Sequence, residues 1–297
     1  ANYMGPGDIN PFNTPQAFDS RFLCGGFCNY STYASPADGG FQESRIPGRV
    51  DFDGWGVSGQ MDWTLAENLQ LVSITAWREY TSIFSNEDDL SPMTHSLGGP
   101  NSLSLEAFSQ EIRLNGALGG NAIEYTVGAF YMDQEGFYSA GQELRYVAGG
   151  GLVFVSGDPV PADTKALFVH GTWNATEKLS VTGGVRYTEE GKDYTFARLD
   201  RAGQPIPGNL GALNGVTGVY QGDTIDYRAS VQYRWADEFM TYAQYSTGFK
   251  GGGINPRPFF APQARPFGPE ELTSYEAGLK TDWFNRALRV NVATFFS

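Results

Sequence analysis

The stretch TIDYRASVQYRWADEFMTYAQYSTGFK, residues 224–250, decides the fold of this chain. It contains two runs in which apolar and polar side chains alternate, separated by Ala236-Asp237-Glu238. Successive side chains on a strand point to opposite faces, so each run predicts a strand with one apolar and one polar face. The short break predicts a hairpin, and each arm approaches the ~9–11 residues that a tilted strand needs to cross a bilayer.

The same unit recurs along the chain. Predicted strand pairs cover 55–83, 105–133, 167–190, 224–250 and 275–294, with the alternation blurred by Gln110 in the second pair. A short turn joins the strands of each pair, whereas long loops rich in glycine and proline separate the pairs. Outer-membrane barrels show this asymmetry between short periplasmic turns and long extracellular loops. The sequence therefore predicts an all-β fold, a transmembrane antiparallel β-barrel of which this chain holds about ten strands.

Four tryptophans share one position in these units, at or near the last apolar residue before a short turn. They are Trp63, Trp173, Trp235 and Trp283. Aromatic side chains concentrate at membrane–water interfaces, so the four predict a membrane belt on the periplasmic side. A soluble β-sandwich gives no reason to place tryptophan at one end of every other strand.

Composition excludes several classes of protein. No apolar run among the 297 residues approaches the ~18–20 residues of a membrane helix. The formal net charge of -13 argues against nucleic acid as a partner, because binding it needs a basic face. The acidic residues are spread over loops and polar strand faces, which predicts a solvated surface.

Residues 1–53 show no periodic pattern and predict an extracellular loop region ahead of a barrel segment over 54–297. Exposed aromatic clusters on loops often mark ligand surfaces. The candidate substrate-binding residues are Phe12, Phe18, Phe22, Phe27, Tyr30, Tyr33, Lys250 and Arg257. The two cations, together with Arg265, lie near the predicted extracellular end and could attract an anionic chelate. Packing of the rings among the loops is an equally good interpretation of the aromatic residues.

Cys24 and Cys28 lie close together in the stretch CGGFC. A disulfide in an oxidising compartment is favoured over two free thiols, because little else could hold this segment. No further cluster of cysteine and histidine completes a zinc site. The acidic run Glu87-Asp88-Asp89 could hold a hard cation such as calcium, although a solvated loop is favoured.

No catalytic arrangement is evident, so an enzyme is not predicted, and neither a metal nor another cofactor is expected. The two histidines, His95 and His170, have no paired aspartate in an Asp-x-His arrangement. The G-x-S-x-G, P-loop and H-E-x-x-H motifs do not occur. The glycines of GFKGGGIN (248–255) lack the Lys-Ser/Thr ending of a phosphate loop, and flexible backbone at a barrel rim is the better interpretation.

Four stretches resemble TonB-dependent outer-membrane receptors. They are LFVHGTWNATEKLSVTGGVRYTEEGKDY (167–194), YAQYSTGFKGGGIN (242–255), FGPEELTSYEAGLKT (267–281) and FSQEIRL (108–114). In that family, a barrel of about 22 strands encloses an N-terminal plug domain. The resemblance thus implies a larger barrel in the bacterial outer membrane, with outer-membrane lipid around it. It also implies a plug domain outside this chain and energy coupling to the TonB–ExbB–ExbD complex through that plug.

The ends of the chain fit this expectation, since it begins without a signal peptide or start methionine and stops inside an alternating run. We therefore expect a portion of a longer protein. The resemblance implies TonB-dependent active import of a scarce, bulky nutrient, most often an iron–siderophore or similar chelate. The alternatives are a complete ten-stranded outer-membrane protease and a passive pore or surface adhesion barrel.

Overall fold

The computed structural model describes residues 49–87, 96–144 and 152–297, and most of these residues lie in strands. The strands are β1 (Arg49–Ala66), β2 (Leu69–Glu87), β3 (Ser96–Leu118), β4 (Ile123–Leu144), β5 (Leu152–Pro159), β6 (Ala162–Asn174), β7 (Leu179–Thr195), β8 (Arg198–Leu199), β9 (Thr217–Ala236), β10 (Phe239–Lys250), β11 (Gly253–Ile254), β12 (Pro266–Phe267), β13 (Glu270–Trp283) and β14 (Leu288–Phe296). A helical turn, α1 (Gly208–Gly211), and a 3-10 turn (Ala261–Gln263) complete the described elements. In this part of the chain, no helix has the length and apolar character needed to cross a membrane.

Ten of the strands form one continuous antiparallel path. Its order is β1-β2-β3-β4-β6-β7-β9-β10-β13-β14, so each strand pairs with the next long strand along the chain. The prediction of about ten antiparallel strands is confirmed. The hairpin of residues 224–250 is present as β9 and β10, whose pairing includes Tyr233 opposite Thr241. Within the described residues β1 and β14 do not pair with each other, so the barrel is not closed.

The register joins the apolar phases of successive strands into one face. One row places Val127 opposite Val169, Val169 opposite Val185 and Val185 opposite Tyr227. Directly opposed residues lie on the same face of a sheet, so this row continues across four strands. The large apolar side chains of this face are exposed, including Leu167 at 63%. We call it the apolar face, and the opposite one, which carries Arg186 and Arg228, the polar face.

Gln110 lies on the apolar face, which explains the blurred alternation of β3. Its Nε2 donates a hydrogen bond to Ser73 Oγ at 3.0 Å and its Oε1 accepts one from Thr75 Oγ1 at 2.5 Å. Both hydroxyls belong to β2, the neighbouring strand. The amide is therefore satisfied within the sheet, as a polar group facing hydrocarbon needs to be.

The strands extend further than the sequence pattern predicted, always at the end with long connections. β4 continues to Leu144, β5 occupies Leu152–Pro159, and β7 continues to Thr195. The sequence pattern predicts loops over 136–163, with a possible short strand at 152–155, and over 191–223. The short strand is present as part of β5, whereas the remaining loop predictions were wrong in part. Beyond the bilayer both faces meet water or other loops, so the alternating pattern fades while backbone pairing continues.

Two connections fold back onto the polar face and share a small hydrophobic core. They are residues 196–216, between β7 and β9, and residues 253–267, after β10; together we call them the cap. The core consists of Tyr194, Phe196, Ile206, Leu210, Leu213, Tyr220 and Ile254. This core gives the long-connection end of the sheet an inner layer.

The glycines of residues 251–253 allow the chain to approach this layer closely. A Cβ at Gly252 would collide with the Phe267 carbonyl and the Tyr220 ring. Gly218 of β9 has the same role, since a Cβ there would lie 2.6 Å from Ile254 Cγ2. Close backbone approach, rather than flexibility at the rim, explains why glycine occupies these positions.

Candidate ligand-binding site

A cleft lies between the cap and the polar face of β4 and β5. Its lining includes Tyr138, Gln142, Phe154, Arg198, Arg257 and Phe259. The cleft holds about 70 Å³, whereas pockets that enclose a drug-sized ligand hold about 300–1,000 Å³. It therefore has room for a small group, such as one carboxylate, rather than for a whole bulky ligand.

A buried ion pair forms the back of the cleft. Asp158 of β5 is fully buried and Arg198 of β8 is 3% exposed. Arg198 Nη1 donates to Asp158 Oδ1 at 2.8 Å and to Oδ2 at 3.0 Å. The Tyr194 hydroxyl donates to Oδ2 at 3.0 Å, and the Ala197 N–H donates to Oδ1 at 2.9 Å. Such a pair is stable in the interior because hydrogen bonds satisfy the carboxylate fully.

Aromatic rings fix the Arg198 side chain in place. Its guanidinium lies 5.2 Å from the centroid of Phe196 and 5.8 Å from that of Phe154. Tyr194 lies seven residues beyond Tyr187, the last large apolar-face residue of β7. Burial raises the pKa of its phenol, so the hydroxyl stays protonated and can donate a hydrogen bond. The wall of the cleft is therefore preorganised.

On the opposite side, side chains of the cap hold the backbone at Arg257 and Phe259. The Arg257 N–H donates to Asn255 Oδ1 at 3.2 Å, and the Phe259 N–H donates to Gln263 Oε1 at 2.7 Å. Asn255 Nδ2 donates in turn to the Gln263 carbonyl at 3.2 Å. These bonds form a tight loop that directs a cation and a ring toward the cleft.

Lys250, the other cation predicted for the site, is not part of this cleft. It ends β10, and its Nζ lies 3.7 Å from Glu270 Oε1 in a pair that is more than three-quarters exposed on both sides. Exposed pairs of this kind contribute little stability. The structure thus separates Lys250 from Arg257.

Comparison with known proteins supplies the family. The family model for TonB dependent receptor-like β-barrels matches residues 1–297. The chain belongs to this family. Its members are outer-membrane proteins, so the chain lies in the bacterial outer membrane.

Relatives with curated names include pesticin receptors. Those of Yersinia pestis and Yersinia enterocolitica are 28% identical over 136 residues, which is 46% of this chain and 19% of theirs. The chain therefore spans well under two thirds of the length of these relatives.

Among solved structures, the ferric yersiniabactin uptake receptor FyuA from Yersinia pestis superposes with a TM-score of 0.65 at 19% identity, covering 82% of this chain and 35% of that one. The ferric-catecholate import receptor Fiu from K12 E. coli superposes with a TM-score of 0.59 at 14% identity, covering 86% of this chain and 41% of Fiu. The ferric citrate transporter FecA superposes with a TM-score of 0.59 at 12% identity, covering 84% of this chain and 34% of FecA. At these identities the likeness shows the fold, a portion of a receptor barrel.

The four tryptophans of the predicted belt are exposed at the surface of the sheet. They are exposed by 54–60%, and each stands within three residues of the end of its strand at a short turn. Trp173 is opposite Val181 and Trp283 is opposite Leu288, so both lie on the apolar face. The interfacial belt stays a prediction, with this placement in its favour.

Two cations of the polar face, Arg186 and Arg228, have partners within the sheet. Arg186 lies 5.7 Å from the Phe130 centroid and 5.6 Å from the Phe168 centroid. Arg228 donates to Gln244 Oε1 at 2.8 Å. The wall itself therefore positions these two guanidinium groups.

Several predicted residues lie outside the described part of the chain. They are Phe12, Phe18, Phe22, Phe27, Tyr30, Tyr33, Cys24, Cys28, Asp88, Asp89 and His95. His170 is described, and lies exposed on the polar face of β6. Among the described residues, no cluster of histidine, cysteine, aspartate and glutamate is arranged to hold a metal ion.

The sequence did not identify Asp158, Arg198, Phe154 or Phe259 as site residues. Phe154 fell in the possible short strand at 152–155, and the other three fell in stretches predicted to be loops. A weak signal was present in FVSGD (154–158), where Phe154, Ser156 and Asp158 alternate with apolar residues. A longer strand there would have placed the aspartate on the polar face.

Proposed function

We propose that the protein is the barrel portion of a TonB-dependent receptor that imports a scarce, bulky, anionic chelate, such as an iron–siderophore complex. Family membership supports transport rather than peptide cleavage. The solved neighbours described as receptors or transporters of ferric yersiniabactin, ferric catecholate and ferric citrate support a ferric chelate as the substrate class.

The cleft beside Arg257 is the observation that carries the proposal. The segment 251–269 contains two arginines and no acidic residue in a chain of net charge -13. Its Arg257 and Phe259 face Tyr138 and Phe154 across the cleft. An anionic group on a planar ring would match this combination of guanidinium and aromatic surface.

Import would depend on parts outside this chain. A plug domain would close the lumen, and the TonB–ExbB–ExbD complex would act on it. The loop region ahead of β1, with its aromatic residues and a Cys24–Cys28 disulfide, would add further ligand contacts.

Binding to the purified full-length receptor tests the cleft, with ferric yersiniabactin, a ferric catecholate and ferric citrate as probes. We expect at least one to bind, and Arg257→Gln to weaken that binding about tenfold, since a hydrogen bond to a charged group contributes about 1.5–3 kcal/mol. Arg265→Gln is the matched control, because Arg265 does not line the cleft. Equal losses in both variants, or no binding of any probe, would contradict the proposal.

A further inference from the structure

The two segments of the cap, far apart in sequence, share one core. Leu213 of the first segment is completely buried, and Ile254 of the second is 7% exposed in the same cluster. A core residue shared by two loops links their stability, since neither can unfold without exposing apolar surface of the other.

The first segment is closed at its base by hydrogen bonds. The Phe196 N–H donates to the Val216 carbonyl at 2.9 Å, and the Gly215 N–H donates to the Phe196 carbonyl at 3.0 Å. The Asn214 side chain bridges to the Arg198 backbone, accepting at 2.8 Å and donating at 2.9 Å. The buried Asp158–Arg198 pair then ties this segment to β5, which pairs with the end of β4 outside the ten-strand path.

The second segment is attached to the wall beside it. Lys192 of β7 donates to the Gly252 carbonyl at 3.0 Å, and its Nζ lies 5.6 Å from the Tyr220 centroid. Ile254 packs against Gly218 of β9. Both attachments use the polar face of β7 and β9, so the segment covers part of that face at the end with long connections.

We propose that residues 196–216 and 253–267 form one cooperatively folded cap, which stays on the lumen wall while the substrate passes. The statement about passage rests on the proposed import. A fixed cap keeps Arg257 and Phe259 opposite Phe154 before the ligand arrives, so binding does not have to order two independent loops.

Hydrogen–deuterium exchange of the full-length receptor tests whether the cap is cooperative. Leu213→Ala should raise exchange at least tenfold in both 196–216 and 253–267, with β9 and β10 unchanged. Phe260→Ala is the matched control, because Phe260 lies in the cap but is 41% exposed. It should leave both segments protected. Faster exchange in 196–216 alone would overturn the cap. If Leu213→Ala also accelerates exchange in β9 and β10, the milder Ile254→Val is used instead. Faster exchange in both 196–216 and 253–267 then supports the cap, and faster exchange in 253–267 alone overturns it.

A disulfide tests whether the cap stays in place. Gly218→Cys with Ile254→Cys joins wall and cap at a position where the two already touch. Peptide mapping distinguishes this bond from any bond formed by Cys24 and Cys28. Uptake of the probe that binds best should change less than twofold between the oxidised and reduced forms. A tenfold loss on oxidation that reduction restores would overturn the proposal. If the unmodified receptor imports no probe, the proposed function fails and the exchange experiment alone decides the cap.

Discussion

Asp158 shows how a single buried residue organises the candidate site. Its carboxylate accepts hydrogen bonds from Tyr194, Ala197 and Arg198, which belong to two strands and the link between them. A charge left without its partner in such a position is strongly destabilising. The residue therefore supports the cleft without needing to touch the ligand.

Replacing Asp158 should loosen the cap. Asp158→Asn keeps the shape but leaves Arg198 as an unpaired buried cation, which should destabilise the cap by about 3–5 kcal/mol. Exchange of the amides in 196–216 measures the effect. Lys250→Gln removes a cation from an exposed pair and should leave the same amides unchanged. Unaltered protection in Asp158→Asn would show that the ion pair does not hold the cap.

A glycine substitution is a second test at the residue scale. Gly252→Ala places a methyl group against the Phe267 carbonyl and the Tyr220 ring, so the backbone of 251–253 has to shift. We expect weaker binding of the ferric chelate and faster exchange in 253–267. Gly248→Ala is the control, because no atom lies within 4 Å of a Cβ there. Equal behaviour of the two variants would show that close approach at Gly252 is unimportant.

Among the strands, the sequence predicted the bilayer-spanning parts well. It predicted poorly how far the strands continue at the end with long connections. The alternation in β9 and β10 is enforced by lipid on one side and the lumen on the other, so it can be read directly. Residues 137–144 and 152–159 pair with each other beyond the strands that the sequence pattern predicted. Lipid does not impose an alternating pattern there. The cleft depends on those extensions and on contacts distant in sequence, so only Arg257 was anticipated.

The pairing of β2 with β3 gives a prediction for the apolar face. Ser73→Ala with Thr75→Val removes two partners of Gln110. Gln110 Nε2 keeps its hydrogen bond to the Glu111 carbonyl at 3.1 Å, whereas Oε1 loses its donor. An acceptor left unsatisfied in this way should destabilise the receptor by about 1–3 kcal/mol. Adding Gln110→Leu should recover the lost stability, because no amide side chain then remains to be satisfied. Unfolding in lipid vesicles measures both steps. A triple variant less stable than the double one would contradict this account of the face.

For the whole molecule, the tryptophan positions predict the depth at which the barrel lies in the membrane. With one of Trp63, Trp173, Trp235 or Trp283 retained at a time, fluorescence quenching by lipids labelled at known depths should place all four at the same interface. Trp77 is a useful comparison, since it lies on the apolar face toward the middle of β2. A spread of depths among the four would contradict the periplasmic belt.

The central claim is energy-dependent import of an anionic ferric chelate, and uptake by cells tests it most directly. Cells expressing the full-length receptor would be given radiolabelled ferric yersiniabactin, ferric catecholate or ferric citrate, with and without the proton-motive force. We predict accumulation of at least one chelate that stops when the proton-motive force is collapsed. Accumulation that continues unchanged would identify a passive pore, and no accumulation of any chelate would contradict the substrate class.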